Sequence, residues 1–215
     1  MNKKLKTIRL IKKQIEDFQI PSVTEISFKN DPYLVLISCI LSLRTKDKTT
    51  IAASRRLFAA ANTPRAMLGL SPGRIQKLIY PVGFYRNKSK VILGISGKIL
   101  TEYAGRVPDT IDELLKLKGV GRKTANLVLG LGWGKSAICV DTHVHRISNR
   151  LGWVNTKDPY HTEEELARII PRKYWIILNT ILVAFGQNIC VPVSPFCSKC
   201  YVKKFCPRIG VKISR

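Results

Sequence analysis

Apolar residues recur along this chain mostly at the spacing of an α-helix. Residues 3–19 place five apolar side chains on one helical face, at Leu5, Ile8, Ile11, Ile15 and Phe18. Residues 31–43 are apolar nearly all round, which is typical of a helix buried in the middle of a bundle, and Pro32 fits its first turn. Because no sustained alternation of period two appears, the pattern predicts an all-α protein.

Further helices are expected between short polar, proline and glycine signals. Asp109 or Thr110 suits the N-cap of a helix whose apolar positions are Ile111, Leu114, Leu115 and Leu117. The remaining predicted helices run from the polar segment 44–48 to Phe58, and over 64–70, 73–79, 87–103, 142–151, 162–170 and 172–187. No internal repeat or low-complexity linker marks a domain boundary.

A glycine-rich turn joins two of these helices. Residues 117–126 read Leu-Lys-Gly-Val-Gly-Arg-Lys-Thr-Ala-Asn, which predicts a helix, a tight turn and a second helix that starts near Lys123 and covers 125–131. Such a turn offers backbone N–H groups to a phosphate and places an amine at a helix N-terminus. Asp141 follows eighteen positions later, in Val-Asp-Thr-His. An amine and a carboxylate beside a phosphodiester suit chemistry on DNA, or equally a phosphate-binding lysine and a helix cap.

The chain carries a large excess of positive charge. Its 215 residues include 37 Lys and Arg against 14 Asp and Glu, a formal charge of +23. This excess is beyond what solubility requires and favours a polyanionic partner, with nucleic acid ahead of an anionic membrane surface. Because the basic residues spread from Lys3 to Arg215, they suit a broad DNA-facing surface.

No apolar stretch reaches the roughly eighteen residues that span a bilayer. The basic N-terminus lacks the apolar run and cleavage site of a signal peptide. We therefore expect a cytosolic chain with no membrane partner, in which paired disulfides do not form. Its six cysteines need another explanation.

Four of these cysteines cluster within seventeen residues. They follow the spacing Cys-x6-Cys-x2-Cys-x5-Cys, at Cys190, Cys197, Cys200 and Cys206. A loop of this length can wrap four thiolates around one centre, and thiolates are strong ligands of iron–sulfur clusters and zinc. Spacing alone leaves those two centres equally open. Cys39 and Cys139 lie in apolar runs and are expected to be small core residues.

The glycine turn, the Val-Asp-Thr-His segment and the cysteine spacing stand in one order. In this combination the chain resembles the endonuclease III family of DNA base-excision glycosylases, in the helix-hairpin-helix superfamily, over nearly its whole length. The resemblance implies an all-α fold of two lobes with a DNA cleft between them. One lobe, expected over 24–136, is a six-helix barrel with the helix-hairpin-helix at about 112–131. The other joins 1–23 to 137–215 and binds a [4Fe–4S] cluster.

The resemblance also implies roles for individual residues. Lys123 corresponds to the Schiff-base lysine, Asp141 to the catalytic aspartate, and the four clustered cysteines to the ligands of the [4Fe–4S] cluster. Arg44 falls where family members commonly place a glutamine that fills the gap left by the flipped base, and Phe84 where an apolar wedge enters the stack. Further residues implied at the DNA are Gly119, Val120, Gly121, Arg122, Thr124 and His143.

Simpler roles stay open for three of these residues. Arg44 would also suit an ordinary phosphate contact, Phe84 a core position, and His143 a helix cap or a packing role. Two departures from the family pattern concern DNA binding. Lys118 stands where the family often has proline, and the loop between Cys190 and Cys197 lacks the basic residues that often face DNA there. Better candidates for that contact are Lys199, Lys203 and Lys204.

The implied function is bifunctional repair of double-stranded DNA that contains damaged bases or abasic sites. Lys123 would attack the deoxyribose C1′, expel a damaged base, by family expectation an oxidised pyrimidine, and cut the strand by β-elimination. An ordinary lysine with a pKa near 10.4 is neutral in only about one part in a few thousand at pH 7, so this chemistry needs a lowered pKa. The alternatives are a monofunctional mismatch glycosylase, which typically lacks an amine at this position, and a non-catalytic DNA-binding protein. A monomer is expected.

Overall fold

The computed structural model describes residues 3–27 and 31–215, and the regular structure in these ranges is helical. The α-helices are α1 (Lys3–Gln14), α2 (Ser22–Ser27), α3 (Pro32–Ser42), α4 (Asp47–Ala60), α5 (Pro64–Leu68), α6 (Pro72–Ile79), α7 (Tyr85–Glu102), α8 (Ile111–Leu115), α9 (Arg122–Leu127), α10 (Thr142–Arg150), α11 (Pro159–Ile169) and α12 (Trp175–Asn188). A π-helical turn continues α9 over Val128–Gly132, and 3₁₀ turns lie at Arg172–Tyr174, Cys197–Lys199 and Lys203–Phe205. The all-α class predicted from the sequence is confirmed. Within the described ranges, no helix has the length and apolar character needed to cross a membrane.

The chain divides into two compact units. The continuous unit comprises Ser22–Ala137. The discontinuous unit joins Met1–Pro21 to Ile138–Arg215. The hairpin lies in the continuous unit, and the four clustered cysteines lie in the discontinuous one.

Helix α3 is the centre of the continuous unit. Asp31 caps it, because its Oδ1 accepts hydrogen bonds from the N–H groups of Tyr33 (2.8 Å) and Leu34 (3.2 Å), with Pro32 in the first turn. Every residue from Tyr33 to Leu41 is buried, since α3 packs against α2, α4, α7 and α9. Removing apolar surface from water on all sides of one helix is the main stabilising contribution in this unit.

Helices α1, α10 and α12 supply the core of the discontinuous unit. Ile8 and Ile11 on α1 share one buried cluster with Leu178 and Phe185 on α12 and with Val144 on α10. The apolar face that the sequence predicts for the first helix is therefore the face that α1 packs against α12.

Gln14, the last residue of α1, ties this helix to the segment between two of the cysteines. Its Nε2 donates to the carbonyl of Lys199 (2.7 Å), and its Oε1 accepts from the N–H of Tyr201 (3.0 Å). A side-chain amide that both donates and accepts fixes the end of α1 to the backbone of 199–201. Hydrogen bonds as well as apolar packing therefore join the two stretches of sequence that form this unit.

Some helix boundaries differ from the expected ones. The sequence pattern does not predict α2, whose six residues are too few to show a period. Helix α11 begins three residues before the expected start, because Asp158 Oδ1 accepts from the N–H of His161 (3.0 Å) and Pro159 suits the first helical position. The helix expected over 3–19 ends at Gln14 and continues as turns.

Candidate functional site

A tight turn joins α8 to α9. The N–H of Val120 donates to the carbonyl of Leu117 (3.0 Å), which closes the turn. Gly119 has a φ of +85°, and a Cβ added there would lie 3.1 Å from Val91 Cγ1. The positive φ therefore favours glycine at this position, and a Cβ would fit only if the Val91 side chain shifted.

Helix α9 starts directly after this turn. Gly121 is its N-cap and accepts the N–H of Ala125 through its carbonyl (2.9 Å). The first N–H groups of a helix have no acceptor within the helix, and a glycine cap has no side chain to accept from them. Lys123 is the second residue of α9, and its side chain is exposed. Its amine therefore lies beside a helix N-terminus, which attracts anions.

Lys123 also lies near a buried thiol of α3. Burial raises the pKa of Cys39 to about 12, and the charge of Lys123 acts in the opposite direction. Cys39 and Cys139 are both buried, which agrees with the core role expected for them.

The other hairpin residues expected at the DNA are of two kinds. The side chain of Arg122 is exposed, whereas those of Val120 and Thr124 are buried. Val120 and Thr124 therefore present only backbone groups to a ligand. Contacts of this kind position a phosphate without reading base sequence.

Gly119→Ala and Gly121→Ala form a matched pair of variants. Gly119→Ala is expected to lower the free energy of unfolding by about 1–2 kcal/mol, because alanine disfavours a positive φ. Gly121 has a φ of −98°, and a Cβ there would meet nothing within 4 Å. Gly121→Ala should therefore change stability by no more than about 0.5 kcal/mol. Urea unfolding of both variants measures this difference, and equal losses would show that the conformation of Gly119 does not set the turn.

Asp141 is the N-cap of α10 in the discontinuous unit. Its Oδ1 accepts hydrogen bonds from the N–H groups of His143 and Val144, both at 2.9 Å. Asp141 is only 9% exposed, so its carboxylate is largely withdrawn from bulk water. Asp141 therefore has the capping role that the sequence allowed for it, and these hydrogen bonds fix its carboxylate at the start of a helix.

His143 packs within its own unit. Its Nδ1 accepts from Nη2 of Arg146 (3.2 Å). A Cβ on Gly186 would lie 2.5 Å from the same Nδ1, so glycine at this position makes space for the ring. The packing role that the sequence left open is observed, and the DNA contact expected of His143 stays a prediction.

Arg44 and Phe84 lie together at two turns of the continuous unit. The guanidinium carbon of Arg44 is 5.3 Å from the centroid of the Phe84 ring, within the range of a cation–π contact. Phe84 is 62% exposed, which excludes the core position considered for it. Arg44 and Phe84 have φ values of 54° and 57°. Such a left-handed conformation costs a non-glycine residue about 1–3 kcal/mol, so the surrounding structure must hold both turns.

The four clustered cysteines line one cavity of the discontinuous unit. The apolar walls of this cavity include Ile147, Phe185 and Val202. Burial, together with the charges of Cys190, Cys206 and Cys197, raises the pKa of Cys200 to about 11. The four sulfur atoms therefore surround a common space.

Thiolates are ligands of both zinc and iron–sulfur clusters. Because the four cysteines line one cavity, they can bind one shared group. Among residues 3–27 and 31–215, no three His, Cys, Asp or Glu side chains are arranged to hold a metal ion.

Arg150 holds the first part of the cysteine loop. Its Nη1 donates to the carbonyl of Val191 (2.7 Å) and its Nη2 to that of Pro192 (2.6 Å), while its own carbonyl accepts from the thiol of Cys206 (3.3 Å). The pattern of the sequence does not single out this buried arginine. The one sequence feature that points to it is its position four residues after Arg146, which places both side chains on one helical face.

Comparison with known proteins identifies the family. The profile of the HhH-GPD superfamily base excision DNA repair protein matches residues 37–172. This chain belongs to that superfamily. The HhH-GPD chain is 49% identical over 178 residues to the endonuclease III of Thermotoga maritima, which covers 83% of this chain and 84% of the relative.

Two solved structures are similar over nearly the whole HhH-GPD chain. A trapped endonuclease III–DNA covalent intermediate, an estranged-adenine complex, is 31% identical, with a TM-score of 0.82 and coverage of 97% of both chains. A thermostable thymine-DNA glycosylase is 26% identical, with a TM-score of 0.85 and coverage of 96% of both chains.

The resemblance inferred from the sequence is thereby confirmed. The HhH-GPD chain is a base-excision repair enzyme, a DNA glycosylase with AP lyase activity, and its partner is DNA. The endonuclease III family is known to carry a [4Fe–4S] cluster.

Proposed function

We propose that this HhH-GPD enzyme removes oxidised pyrimidine bases from double-stranded DNA and cuts the strand through an imine at Lys123. The observation that carries the proposal is the exposed Lys123 amine at the N-terminus of α9, directly after the glycine turn. A helix N-terminus attracts a phosphate, and an amine beside a bound phosphate lies near a deoxyribose. The covalent DNA intermediate of the structural neighbour supports the proposal, because such an adduct requires a nucleophile.

Lys123 is the proposed nucleophile. Its neutral Nζ would attack C1′, and the bond from C1′ to the damaged base would break, with the electron pair leaving on the base. The amine gives up a proton, and the sugar ring then opens as the C1′–O4′ bond breaks and O4′ takes up a proton, which leaves a protonated imine at C1′. This imine makes the C2′ proton acidic, and loss of this proton drives β-elimination as the C3′–O bond to the phosphate breaks. Water then hydrolyses the imine and restores the amine.

Asp141 is the proposed charge partner of this reaction. Departure of the base makes C1′ cationic, and a fixed carboxylate stabilises that charge or relays protons. Because two backbone N–H groups hold Oδ1, the carboxylate needs little reorientation during the reaction. His143, two positions later, is proposed as a DNA contact.

Variants at Asp141 separate capping from chemistry. Asp141→Asn keeps an acceptor for the cap, so its Tm should stay near that of wild type, while base release should fall about 100-fold or more with the loss of charge. Asp141→Ala should lose the same activity and about 1 kcal/mol of stability as well. Thermal melts and single-turnover kinetics measure both effects. Near-wild-type activity in a stable Asp141→Asn variant would leave Asp141 as a helix cap alone.

Arg44 and Phe84 are the proposed occupants of the space that the extruded nucleotide leaves. A base inside a duplex is unreachable, and its extrusion costs a few kcal/mol in lost stacking. The exposure of Phe84 and its contact with Arg44 support this role. A guanidinium can stack on or hydrogen-bond with the orphaned base, and the phenyl ring can fill the stack.

The hairpin is proposed to hold the strand while the base is extruded. The backbone N–H groups near Gly119 and Gly121, with Val120, Arg122 and Thr124, would face a phosphate. Their lack of sequence information suits an enzyme that must act wherever damage occurs. Additional phosphate contacts are proposed for three exposed lysines of the cysteine segment: Lys199, Lys203 and Lys204.

The four cysteines are the proposed ligands of a [4Fe–4S] cluster. Their shared cavity supports one group bound through four thiolates, and the endonuclease III family, which is known to carry a [4Fe–4S] cluster, supports this group over zinc. When bound, the cluster would tie together four positions of a segment with little regular structure. Because cysteine fills each ligand position, the cluster would stabilise the fold and leave no coordination position for substrate.

Borohydride reduction during reaction with a panel of duplexes tests the proposal. Reduction turns the imine into a stable amine, so a duplex with an oxidised pyrimidine should give a covalent protein–DNA adduct. Release of thymine or adenine from a mismatch without an adduct would instead indicate a monofunctional glycosylase. The similarity to a thymine-DNA glycosylase is the reason to test this alternative. Binding with neither reaction would indicate a DNA-binding protein. The exposed Lys123 favours the adduct.

A further inference from the structure

Lys88, in the first turn of α7, is a lysine that the chain buries almost completely. It is 5% exposed, and its Nζ donates to the carbonyls of Leu41 (2.8 Å) and Leu43 (2.5 Å) and to the hydroxyl of Thr45 (3.2 Å). Three acceptors match the three donors of an ammonium group. Leu41 lies in the last turn of α3 and Leu43 is its C-cap, where helix carbonyls lack partners and favour a cation.

The same lysine is bound to the turn that carries Phe84. Its backbone N–H makes the first hydrogen bond of α7, to the carbonyl of the N-cap Phe84 (2.9 Å), so its side chain links the start of α7 to the end of α3. Thr45 extends this link, because its Oγ1 also accepts from the N–H of Gly83 (3.2 Å). Lys88 therefore connects the turn of Arg44 with the turn of Phe84.

Gly83 brings the two turns into direct backbone contact. A Cβ added to Gly83 would lie 2.8 Å from the carbonyl oxygen of Arg44, closer than real Cβ contacts allow. Glycine is therefore required for the close approach of the two turns. The approach in turn allows the Arg44 guanidinium to lie over the Phe84 ring.

Burying an amine at this position costs folding free energy that burying an apolar side chain would not cost. Burial lowers the pKa of Lys88 to about 8, while the three oxygen acceptors favour its protonated form. Capping α3 alone does not require a buried lysine, because water or a single backbone N–H can satisfy the end of a helix. A buried lysine at this position is instead explained by the two turns that it connects. Each of these turns carries an exposed side chain on strained, left-handed backbone.

We propose that Lys88 is a positioning residue for base extrusion, which with Thr45 and Gly83 holds Arg44 and Phe84 as one rigid pair that enters the duplex. The inference rests on the proposed function and deepens it, because it assigns a residue buried in the protein to the step that moves the base. Without the Lys88 amine both side chains remain, but the turns lose its three hydrogen bonds and keep only the hydrogen bond from Gly83 to Thr45. The loss of activity should affect substrates whose damaged base must be unstacked. It should not affect an abasic site, which has no base to unstack.

Lys88→Met tests the inference, with Lys90→Met as the control on the exposed side of the same helix. Four quantities are measured: the single-turnover rate of release of an oxidised pyrimidine, the rate of cleavage of the same duplex with a preformed abasic site, the fluorescence of 2-aminopurine beside the lesion, and the Tm. For Lys88→Met we expect base release to fall at least about tenfold, since charged hydrogen bonds are lost, and abasic-site cleavage to change less than about threefold. The 2-aminopurine signal of unstacking should fall in parallel with base release. Lys90→Met should retain all four values.

A double-mutant cycle with Phe84→Ala makes the test specific. If Lys88 acts by positioning Phe84, Lys88→Met should slow base release much less in the Phe84→Ala background than in wild type. Gly83→Ala, which separates the turns and keeps the amine, should reproduce the selective loss. Gly83→Ala and Thr45→Val also carry the test if Lys88→Met fails to fold.

Three results would overturn the inference: equal losses of both rates, losses no larger than the fall in folded protein, or additive effects in the cycle. Each would leave Lys88 as a stabiliser of α3. Failure of the proposed function is a different result, because it is the absence of a borohydride adduct with the wild-type enzyme. The two failures are therefore distinguishable.

Discussion

Lys123→Ala is expected to eliminate the borohydride-trapped adduct and to slow strand cleavage at an abasic site by at least about a thousandfold. In the proposed mechanism the imine forms on the Lys123 amine, and neither alanine nor water can form such an imine. The side chain is exposed, so its removal leaves the turn and α9 intact, and the Tm should remain close to that of wild type. Gel separation of the adduct and of the cut strand measures both losses.

Lys118→Ala is the matched control for charge. Lys118 is an exposed lysine of the same turn, so its removal costs the hairpin the same positive charge. We expect weaker DNA binding and a salt dependence reduced by about one counterion, with adduct formation retained at saturating enzyme. Intact strand cleavage in Lys123→Ala, or equal loss in Lys118→Ala, would contradict the assignment of the nucleophile.

Cys200→Ser is expected to lose most of the bound iron and to unfold the segment from Cys190 to Arg215. Regular structure in this segment consists of two 3₁₀ turns, and few of its apolar side chains are buried, with Val193 and Ile213 82% and 73% exposed. Apolar burial alone therefore stabilises it little, and a structural metal centre typically contributes about 10 kcal/mol or more. Iron analysis, visible absorption and limited proteolysis after Asn188 measure the loss.

Cys39→Ala is the control for this experiment. Cys39 is a buried cysteine of the continuous unit, so its replacement should reduce stability without releasing iron. Full iron content in Cys200→Ser would contradict the proposed ligand set. One equivalent of zinc in place of iron in the wild-type protein would restore the alternative that cysteine spacing alone leaves open.

The helices were predictable where cap chemistry stands beside a clear apolar pattern. Asp31 with Pro32 starts the buried α3, and Asp141 starts α10, as their side-chain types suggest. Of the two caps expected for α8, Thr110 is the one used, since its hydroxyl accepts from the N–H of Glu113 (3.4 Å). Local signals of this kind need only neighbouring residues, which the sequence displays directly.

Features that depend on distant residues were not predictable. The π-helical turn after α9 ends at Gly132, where a Cβ would lie 2.7 Å from Pro32 Cα, a contact between segments a hundred residues apart. In the sequence Lys88 cannot be distinguished from the other basic residues of its helix, because its hydrogen-bond acceptors lie more than forty positions earlier. Arg150 likewise binds carbonyls about forty positions later. Packing selects such pairs, and no local propensity records them.

The discontinuous unit has a consequence for the order in which the protein folds during synthesis. The continuous unit has all of its sequence once residue 137 has left the ribosome, so it can fold as a domain while translation continues. Helix α1 is made first, yet its partners on α12 and at 199–201, which Gln14 binds, are made last. Its apolar face therefore cannot reach this packing until those partners have emerged. The iron of the proposed cluster would be bound only after Cys206, the fourth cysteine, has also emerged.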